Sequence, residues 1–475
     1  MSSPDSVSLR STPKQADVLV VGAGLSGLRA ALGVQAAGLS CVVVEAIDRV
    51  GGKTLTVPSK HSGPGVSDIG GAWINDTSQS EMYRLLQKYG LHGEVQRAEV
   101  RVFLTEVLLQ FEGKDQILVA SALQHFREVI EEIDLENPAT GKAAKELDSM
   151  TSTEYCHRTF QSELVTGLVD TAVQSMVGVE GNAISMLAFL QGVKTATGID
   201  AALSDGKDGA QYLRLREGMQ TFSLNMAEDL KPDTLVLSAP VTSIEQCPQT
   251  RLCTVRTSSP THSIVQAKKV ILSVPRTLYN KIAFNPPLPS AQSRFADKNI
   301  IGYYSKTIYV FDQPWWHTAG LSGAVQTQFG PILFSRDTSV PADDQWSITC
   351  FLVADRGREW SLLSQAERRR TAWEQFRTIF EGAGTPLEKL NVPEPINVLE
   401  MEWSKEEFFG GATCPVPPPG LISSVDASAA RTPFDNIHFV GTETALVWRG
   451  YMEGAVRSGD RGAQEVIGAL KRVEN

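Results

Sequence analysis

Three glycines near the start of the chain have the spacing of a nucleotide-binding turn. Gly22, Gly24 and Gly27 form the pattern GxGxxG between a short apolar run and a segment of helix-forming residues. Glycines at these positions allow a tight turn, close approach of the backbone to a pyrophosphate, and close packing of a helix on a strand. Glu45 ends the next apolar run, where a carboxylate would accept hydrogen bonds from a ribose diol. Together these residues predict a dinucleotide site.

Lys306 is a second residue with a chemical implication. It lies inside the otherwise apolar segment GYYSKTIYVF, which is typical of a strand. A lysine buried without a partner loses hydration and tends to lose its proton. A buried Lys306 would therefore indicate a functional group, whereas on a half-exposed strand the same side chain would point into solvent.

The cysteines and histidines form no pattern typical of a metal site or a disulfide framework. The 6 cysteines include no CxxC pair, and the 7 histidines have no close ligand spacing. Zinc sites bring such groups together at short, regular intervals, and small disulfide-stabilised domains carry cysteines at much higher density. We therefore expect no bound metal and a reducing, cytoplasmic environment.

The elements around the glycine motif form a predicted βαβ unit. Residues 17–21 (DVLVV) and 41–45 (CVVVE) are short apolar runs typical of buried parallel strands. Residues 25–37 favour a helix, and Gly38 supplies its C-terminal cap. This unit would place the glycine turn and Glu45 at one edge of a parallel sheet.

Helix-rich and strand-rich stretches alternate twice along the remaining chain, which predicts two domains built from separate segments. Helices are expected near 79–89, 121–133, 144–165, 182–195, 360–382 and 453–470. Strands are expected at 241–246, 251–257, 267–275, 303–311, 346–353 and 437–441. The predicted division is a disordered tail at 1–15, a nucleotide-binding domain of 16–82, 212–290 and 400–475, and a substrate-binding domain of 83–211 and 291–399.

Composition excludes several classes of protein. Of 475 residues, 42% are hydrophobic and 21% charged, which is ordinary globular usage rather than that of a disordered or collagen-like chain. The 44 basic and 54 acidic residues give a net charge of −10, which argues against nucleic-acid binding. No apolar run is long enough to span a membrane and neither end has an apolar sorting segment, so we expect no membrane anchor.

Beyond these motifs, the chain resembles the flavin monoamine oxidase family. Five segments match in the same order: DVLVVGAGLSGLRAA, VVVEAIDRVGGKT, DIGGAWI, AFNPPLP and GTETALVWRGYMEGAVRSGDRGAQEV. The resemblance covers most of residues 16–470 and is weakest between about 95 and 150. It implies an α/β fold in which a Rossmann-like FAD-binding domain is combined with a discontinuous α+β substrate-binding domain.

The resemblance also implies which residues surround FAD. The sequence departs from the family pattern at Ile47 and Lys53, where arginine is usual. Lys53 keeps the charge but lacks the bidentate fork of arginine, which predicts weaker phosphate binding. Trp403 would pack near the flavin ring, although a plain core role is an alternative. The implied FAD contacts are Gly22, Gly24, Ser26, Gly27, Glu45, Lys53, Gly70, Gly71, Ala72, Trp73, Val241, Trp403, Ala412, Gly441, Glu443 and Met452.

Two positions near the flavin differ from the family in a way that affects chemistry. Ala412 occupies the position of the cysteine that binds flavin covalently in relatives, so we expect dissociable FAD; Cys414 lies two residues further on, at the wrong offset. Tyr451 matches one of two aromatic residues that flank the substrate amine, and Thr413 stands where the other would be. The missing ring predicts a substrate that is bulkier or more polar than a small arylalkylamine.

The implied activity is the oxidation of a primary amine to an imine, which water converts to an aldehyde or ketone and ammonia. O2 is reduced to H2O2. In this scheme Lys306 reaches flavin N5 through a water molecule, and Gln211 either lines the substrate cavity or is an ordinary surface amide. The expected substrate is a long or substituted aliphatic amine, and a homodimer is a plausible assembly.

Three alternatives remain open at the level of sequence. An L-amino acid oxidase would need a cation for the substrate carboxylate, for which Arg449 is a candidate. A polyamine oxidase would need acidic groups along a tunnel. A non-enzymatic prenyl-binding protein of the Rab GDP-dissociation inhibitor type would share the dinucleotide fold, but Lys306 and the GTET and GYMEG segments argue against it.

Overall fold

The computed structural model describes residues 14–97, 112–382, 390–425 and 427–474, which form two large sheets, two two-stranded sheets (β3 with β4, and β5 with β6) and the surrounding helices. The strands are β1 (Lys14–Val21), β2 (Cys41–Val44), β3 (Thr56–Pro58), β4 (Val66–Asp68), β5 (Gly93–Val95), β6 (Leu213–Leu215), β7 (Leu235–Val236), β8 (Val241–Gln246), β9 (Cys253–Thr257), β10 (Ile264–Leu272), β11 (Ala283–Asn285), β12 (Tyr304–Phe311), β13 (Val325–Gln326), β14 (Phe334–Asp337), β15 (Trp346–Val353), β16 (Asn397–Glu402) and β17 (Ile437–Phe439). The helices are α1 (Leu25–Ala36), α2 (Ser80–Lys88), α3 (Gly113–Glu131), α4 (Ala144–Ser149), α5 (Ser152–Phe160), α6 (Glu163–Val177), α7 (Met186–Thr195), α8 (Ile199–Ala202), α9 (Gln220–Glu228), α10 (Ser290–Lys298), α11 (Trp315–Thr318), α12 (Ala354–Ser361), α13 (Gln365–Glu381), α14 (Leu421–Ser424) and α15 (Met452–Glu474).

The first sheet has eight strands and is built on the predicted βαβ unit. Its order is β11-β8-β9-β10-β1-β2-β7, and β17 also pairs with β10. β1 runs parallel to both β2 and β10, with Val18 opposite Cys41 on one side and Lys269 on the other. The last four residues of β1 are buried, as expected for a parallel strand covered on both faces. The Rossmann-like prediction is therefore confirmed.

Small residues allow helices α1 and α15 to pack closely beside this sheet. A Cβ at Gly33 would lie 2.9 Å from Cβ of Ala463, and one at Gly459 would lie 2.3 Å from the carbonyl oxygen of Ser26. Such contacts are shorter than packed side chains tolerate. The backbones of the two helices are consequently in close contact, and this contact begins near the glycine turn, at the start of α1.

The second sheet is antiparallel and has the order β13-β14-β15-β12-β16. β12 alternates along its length: Tyr309 and Phe311 pack against the aromatic cluster that covers α13, whereas Ile308 and Val310 contact Ile69 near the first sheet. Period-2 alternation puts Lys306 on the same face as Ile308 and Val310. The core thus places the lysine on the side that faces the nucleotide-binding part.

The predicted helix at 144–165 is wrong, because this stretch contains parts of three helices. Thr151 and Glu154 form a reciprocal capping box that starts α5. Gln161 then adopts a left-handed conformation with φ 49°, and the side chain of Ser162 accepts a hydrogen bond from the amide of Val165 to start α6. Each cap satisfies amide groups that a continuous helix would have bonded internally.

Other element boundaries also shift. The helix expected near 360–382 is two helices, α12 and α13, separated by the capping box of Ser364 and Glu367. α3 begins before the predicted 121–133 helix. Lys14 and Gln15, assigned to a disordered tail, instead pair with β10 as the start of β1, and the rest of that predicted tail, 1–13, lies outside the described residues. The segment limits of the two domains stay a prediction.

Candidate active site

A cavity of about 1040 Å³ lies between the two sheets. Its walls include the carboxyl ends of β1 and β2, where open α/β sheets bind ligands. The opposite wall is the face of the second sheet that carries Lys306. All the site residues predicted from sequence line this cavity except Gly27, which lies behind its wall.

The three glycines of the turn have different surroundings: two of them are packed against backbone, and the third faces the cavity. Gly22 has φ +101°, and a Cβ there would lie 2.7 Å from the carbonyl oxygen of Ser273. A Cβ on Gly27 would lie 1.9 Å from the carbonyl oxygen of Gly22. At Gly24 a Cβ would approach Gly52 Cα at 3.8 Å and would otherwise occupy the cavity. Gly24 therefore leaves room for a ligand, whereas Gly22 and Gly27 allow the strand and helix to meet.

Two helix N-termini border the same end of the cavity. α1 starts after Gly24, which provides no side-chain cap, and Ser26 in its first turn lines the cavity. α15 starts at Met452, which also lines it. Unpaired amides and the positive end of the helix dipole favour an anion at such a place. The donors present fit the pyrophosphate of a dinucleotide.

Glu45 is buried in the cavity wall, and its contact with a ribose stays a prediction. Its carboxylate is 8% exposed and accepts hydrogen bonds from the amides of Ala23 at 2.6 Å and Ile47 at 3.1 Å. These bonds hold the side chain at the cavity wall. Burial raises the pKa of Glu45, and the amide donors oppose that shift. The carboxylate oxygens retain further lone pairs that hydroxyl groups could use.

Lys53 makes a contact that the sequence did not predict. Its ammonium group donates to the carbonyl oxygen of Thr413 at 2.9 Å, so it ties the cofactor side of the cavity to the 412–413 loop. Burial lowers the pKa of Lys53, and the nearby carboxylate of Glu443 opposes the shift. Glu443 in turn accepts from the amide of Arg276 at 3.1 Å and packs against Gly441. A direct contact of Lys53 with phosphate stays a prediction.

The loop after β4 lines the cavity with its backbone and the indole of Trp73, and it is bonded to a second indole, that of Trp403. A Cβ at Gly70 would lie 2.1 Å from the carbonyl oxygen of Lys53, and Gly71 and Ala72 follow along the wall. The indole of Trp403 donates to the Ile69 carbonyl at 3.2 Å, and the indole of Trp73 donates to Gln96 at 2.8 Å. Both rings are held in place while part of each lines the cavity.

Lys306 is buried, with 5% of its surface exposed, and its side chain ends in the cavity. Its nitrogen donates to the carbonyl oxygens of Asp68, at 3.0 Å, and Gly70. It lies 5.3 Å from the ring centre of Trp73 and 5.4 Å from that of Phe351. Burial lowers the pKa of Lys306 to about 8, and Asp68 opposes the shift. As a neutral amine with two N–H bonds donated, it would keep a lone pair for a proton.

Tyr304 is an aromatic residue that sequence reasoning missed. Its hydroxyl donates to the carbonyl of Ser175 at 2.8 Å, and the Thr413 hydroxyl donates to the next carbonyl, Met176, at 3.2 Å. Its ring contacts Phe351 edge to face at 5.9 Å and packs with Ala412. Tyr304 thus stands beside the position where the aromatic partner of Tyr451 was predicted to be missing.

The remaining predicted residues are placed as follows. Tyr451 lines the cavity and is held edge to face by Trp448 at 4.9 Å, and burial raises its pKa. Gln211 is half-buried and lines the cavity as well, and its contact with the substrate stays a prediction. Arg449 lines it too, but it donates to Gln191 at 2.8 Å. Cys414 is 5% exposed and its thiol reaches the cavity wall despite its offset in sequence.

Comparisons with known proteins agree with this geometry. Residues 25–467 match the profile of the flavin-containing amine oxidoreductases. The chain is 30% identical to human flavin-containing amine oxidase B over 469 residues, 96% of this chain and 87% of the human protein. It superposes on wild-type putrescine oxidase bound to putrescine with a TM-score of 0.84 at 27% identity, covering 96% and 100% of the two chains. Cyclohexylamine oxidase from Brevibacterium oxydans IH-35A gives 0.83 at 25% identity, with 96% and 99% covered.

These findings decide between the functional classes left open by the sequence. The protein is an FAD-dependent oxidoreductase acting on amines, and the non-enzymatic prenyl-binding alternative is rejected. In the described ranges, no helix is long and apolar enough to cross a membrane. The match extends along nearly the whole chain, and it agrees with the βαβ unit at the cavity and the buried lysine on the facing sheet. This chain belongs to the flavin-containing amine oxidoreductase family.

Proposed function

We propose that the protein binds FAD without a covalent bond and oxidises a long or substituted aliphatic primary amine. The amine and water would yield an aldehyde or ketone and ammonia, while O2 is reduced to H2O2. The observation that carries the proposal is the position of Lys306, buried in the wall of a cavity that continues to the glycine turn and Glu45. A cofactor held at that turn and an amine beside Lys306 would share one enclosed space.

Different residues of the cavity wall would contact different parts of FAD. Glu45 and the N-termini of α1 and α15 would bind the ribose and pyrophosphate, and Trp403 and Met452 would border the flavin. FAD, when bound, supplies the two-electron acceptor. Ala412 offers no nucleophile for a covalent bond, which supports dissociable FAD. The Cys414 thiol remains protonated at neutral pH because burial raises its pKa, and a thiol in that state is a poor nucleophile.

The groups facing the substrate favour a neutral amine. Lys306, with its pKa lowered to about 8, can take a proton from an incoming ammonium group at mildly alkaline pH. Tyr451 would orient the nitrogen with its ring face, and Tyr304 would close the side left open at Thr413. The apolar walls exclude water and hold the C–H bond next to nitrogen in place.

A spectroscopic experiment tests cofactor, linkage and reaction together. The purified protein is precipitated with acid, and flavin absorbance is measured in supernatant and pellet. We expect the flavin in the supernatant; flavin retained in the pellet would contradict noncovalent binding. Anaerobic addition of octylamine to the intact protein should then bleach the bound flavin, whereas flavin that no primary amine bleaches would refute amine oxidation.

The related substrate classes are less well supported by the cavity. Putrescine oxidase is a structural neighbour, but the guanidinium of Arg336 lines this cavity and would repel the second ammonium group of a diamine. An α-amino acid would need a cation beside Lys306, where the contacts of the described residues are the carbonyls of Asp68 and Gly70 and the rings of Trp73 and Phe351. A homodimer and a cytoplasmic location stay predictions from the sequence, to be checked by light scattering and by cell fractionation.

A further inference from the structure

We propose that the end of the cavity away from Lys306 binds a carboxylate, or an equally strong hydrogen-bond acceptor, carried by the substrate at the opposite end from its amine. The inference rests on the proposed function, in which the amine nitrogen lies beside Lys306. It narrows the substrate class to ω-amino acids and similar acceptor-terminated amines. It also predicts discrimination against diamines.

The argument starts from one row of residues across the second sheet. Gln326 pairs with Phe334, Phe334 pairs with Phe351, and Phe351 pairs with Lys306. Directly paired residues point to the same face of a sheet, and all four line the cavity. Arg336 lies two residues after Phe334, which puts it on that face as well. Across the strands the wall therefore presents the lysine, two aromatic rings and the Gln326 amide, and Arg336 lies beside the second ring, two residues further along β14.

The two rings form an apolar strip between the polar ends. Phe334 and Phe351 are stacked with ring centres 4.2 Å apart and an interplanar angle of 9°. Lys306 lies 5.4 Å from one ring centre, and the Arg336 guanidinium carbon lies 5.4 Å from the other. With strands about 4.8 Å apart, the row spans about 10 Å from Lys306 to Phe334, the neighbour of Arg336 on β14, and about 14 Å to Gln326. A polymethylene chain lying along the strip would hold its two ends well apart.

Arg336 is fixed in position and still has donor capacity. Its Nε lies 2.8 Å from the carboxylate of Asp205, and its Nη1 donates to the Ser335 carbonyl at 3.0 Å. For Nη2, the described residues provide no hydrogen-bond acceptor. Guanidinium groups bind carboxylates with particular strength because their donors form a planar fork. An incoming carboxylate would meet a cation that is already oriented.

Asp205 supports the guanidinium from outside the cavity. Asp205 is 3% exposed and does not line the cavity wall, whereas Arg336 does. Burial raises the pKa of Asp205, and Arg336 opposes that shift. The charge of Arg336 also acts on Tyr304, which lines the cavity. Burial raises the pKa of Tyr304, and the positive charge of Arg336 opposes that increase. The ion pair thus presents its positive member to the substrate.

The test compares three eight-carbon substrates on the FAD-loaded enzyme: 8-aminooctanoate, octylamine and 1,8-diaminooctane. We expect kcat/KM for 8-aminooctanoate to exceed that for the diamine by at least 100-fold. Arg336→Met should lower the ratio of 8-aminooctanoate to octylamine by at least 10-fold. If the single variant folds poorly, the double variant Arg336→Met with Asp205→Asn replaces it in the test, because it leaves no unpaired buried carboxylate. The double variant should show the same decrease of at least 10-fold in the ratio of 8-aminooctanoate to octylamine. Arg370→Met, which removes an exposed arginine paired with Glu374, should leave the ratio unchanged.

A binding measurement separates this inference from the proposed function. Octanoate has no amine to oxidise, and we expect it to perturb the spectrum of bound flavin with a Kd that rises at least 10-fold in Arg336→Met. If octanoate binds equally to both proteins, the carboxylate subsite is refuted even when amines are oxidised. If octanoate binding depends on Arg336 while no amine bleaches the flavin, the subsite stands and the proposed oxidation fails.

Discussion

At the scale of single residues, the proposed chemistry depends on the proton carried by Lys306. The nitrogen is bonded to two backbone carbonyls and enclosed by Trp73 and Phe351. Carbonyl groups accept hydrogen bonds from both the charged and the neutral form, so they hold the side chain without fixing its charge. Burial therefore decides the equilibrium between the charged and the neutral form, and it lowers the pKa of Lys306 to about 8. A group with this pKa is suited to accept a proton at mildly alkaline pH.

Lys306→Met should lower kcat by at least 10-fold while FAD remains bound. In the native enzyme, kcat should rise with pH through about 8, because the lowered pKa makes Lys306 neutral above that value. The variant should lose this inflection. The measurement is kcat with octylamine from pH 6.5 to 9.5, with flavin content measured by absorbance.

Lys269→Met is the matched control for the Lys306 prediction. Lys269 also lies on a strand and is partly buried, but it donates to Asn436 and is not part of the cavity wall. Its replacement should preserve the pH profile. An unchanged kcat and an unchanged inflection in Lys306→Met would remove this lysine from the mechanism.

Thr413→Tyr should shift preference toward small arylalkylamines, and the shift should be largest when Tyr304 is also replaced by a smaller residue. The hydroxyls of Thr413 and Tyr304 bond to consecutive carbonyls of α6, so a ring at position 413 would compete with the existing one. We expect the double variant Thr413→Tyr with Tyr304→Val to raise kcat/KM for benzylamine relative to octylamine by at least 5-fold. The single Thr413→Tyr variant should give a smaller shift. Equal substrate profiles for native and double-variant enzymes would show that neither residue borders the amine.

At the scale of elements, the glycine turn combines two functions that mutation can separate. Gly27→Ala would place a methyl group 1.9 Å from the Gly22 carbonyl oxygen, and such overpacking costs about 1–3 kcal/mol or more. Gly24→Ala would point its methyl group into the cavity instead. We therefore expect Gly27→Ala to lower the Tm of the apoprotein. Gly24→Ala should leave that Tm nearly unchanged and weaken FAD binding at least 10-fold in a fluorescence titration; a reversed pattern would contradict this assignment.

The helices and strands show which signals in the sequence were sufficient. The βαβ unit was predictable because its strand segments are short and apolar, and because glycines mark the turns between its elements. The breaks before α5 and α13 were also readable, since T-x-x-E at Thr151 and S-x-x-E at Ser364 are capping boxes. β13 and β14 gave no such signal: strands of two and four residues are stabilised by pairing with neighbours rather than by their own composition.

At the scale of the whole molecule, the cavity depends on contacts that no local pattern contains. The cofactor side could be predicted because its residues follow motifs with fixed spacing. The substrate side could not, because Phe334, Phe351 and Lys306 come together only through strand register. Arg336 and Asp205 are far apart in sequence and would each be taken for surface charges. Specificity was therefore the least predictable property, although the reaction class was accessible from the sequence.

The proposed binding of dissociable FAD in the cavity between the two large sheets leads to a prediction for the stability of the entire chain. A dissociable ligand that binds only the folded state stabilises it by about 1.4 kcal/mol for each tenfold increase above Kd. For a chain of 475 residues, the entropy of unfolding is about 1 kcal/mol per kelvin. The Tm of the apoprotein should consequently rise by about 1–2 °C per tenfold increase in free FAD, without reaching a plateau, when followed by circular dichroism. A covalent flavin would instead give a Tm that does not depend on added FAD.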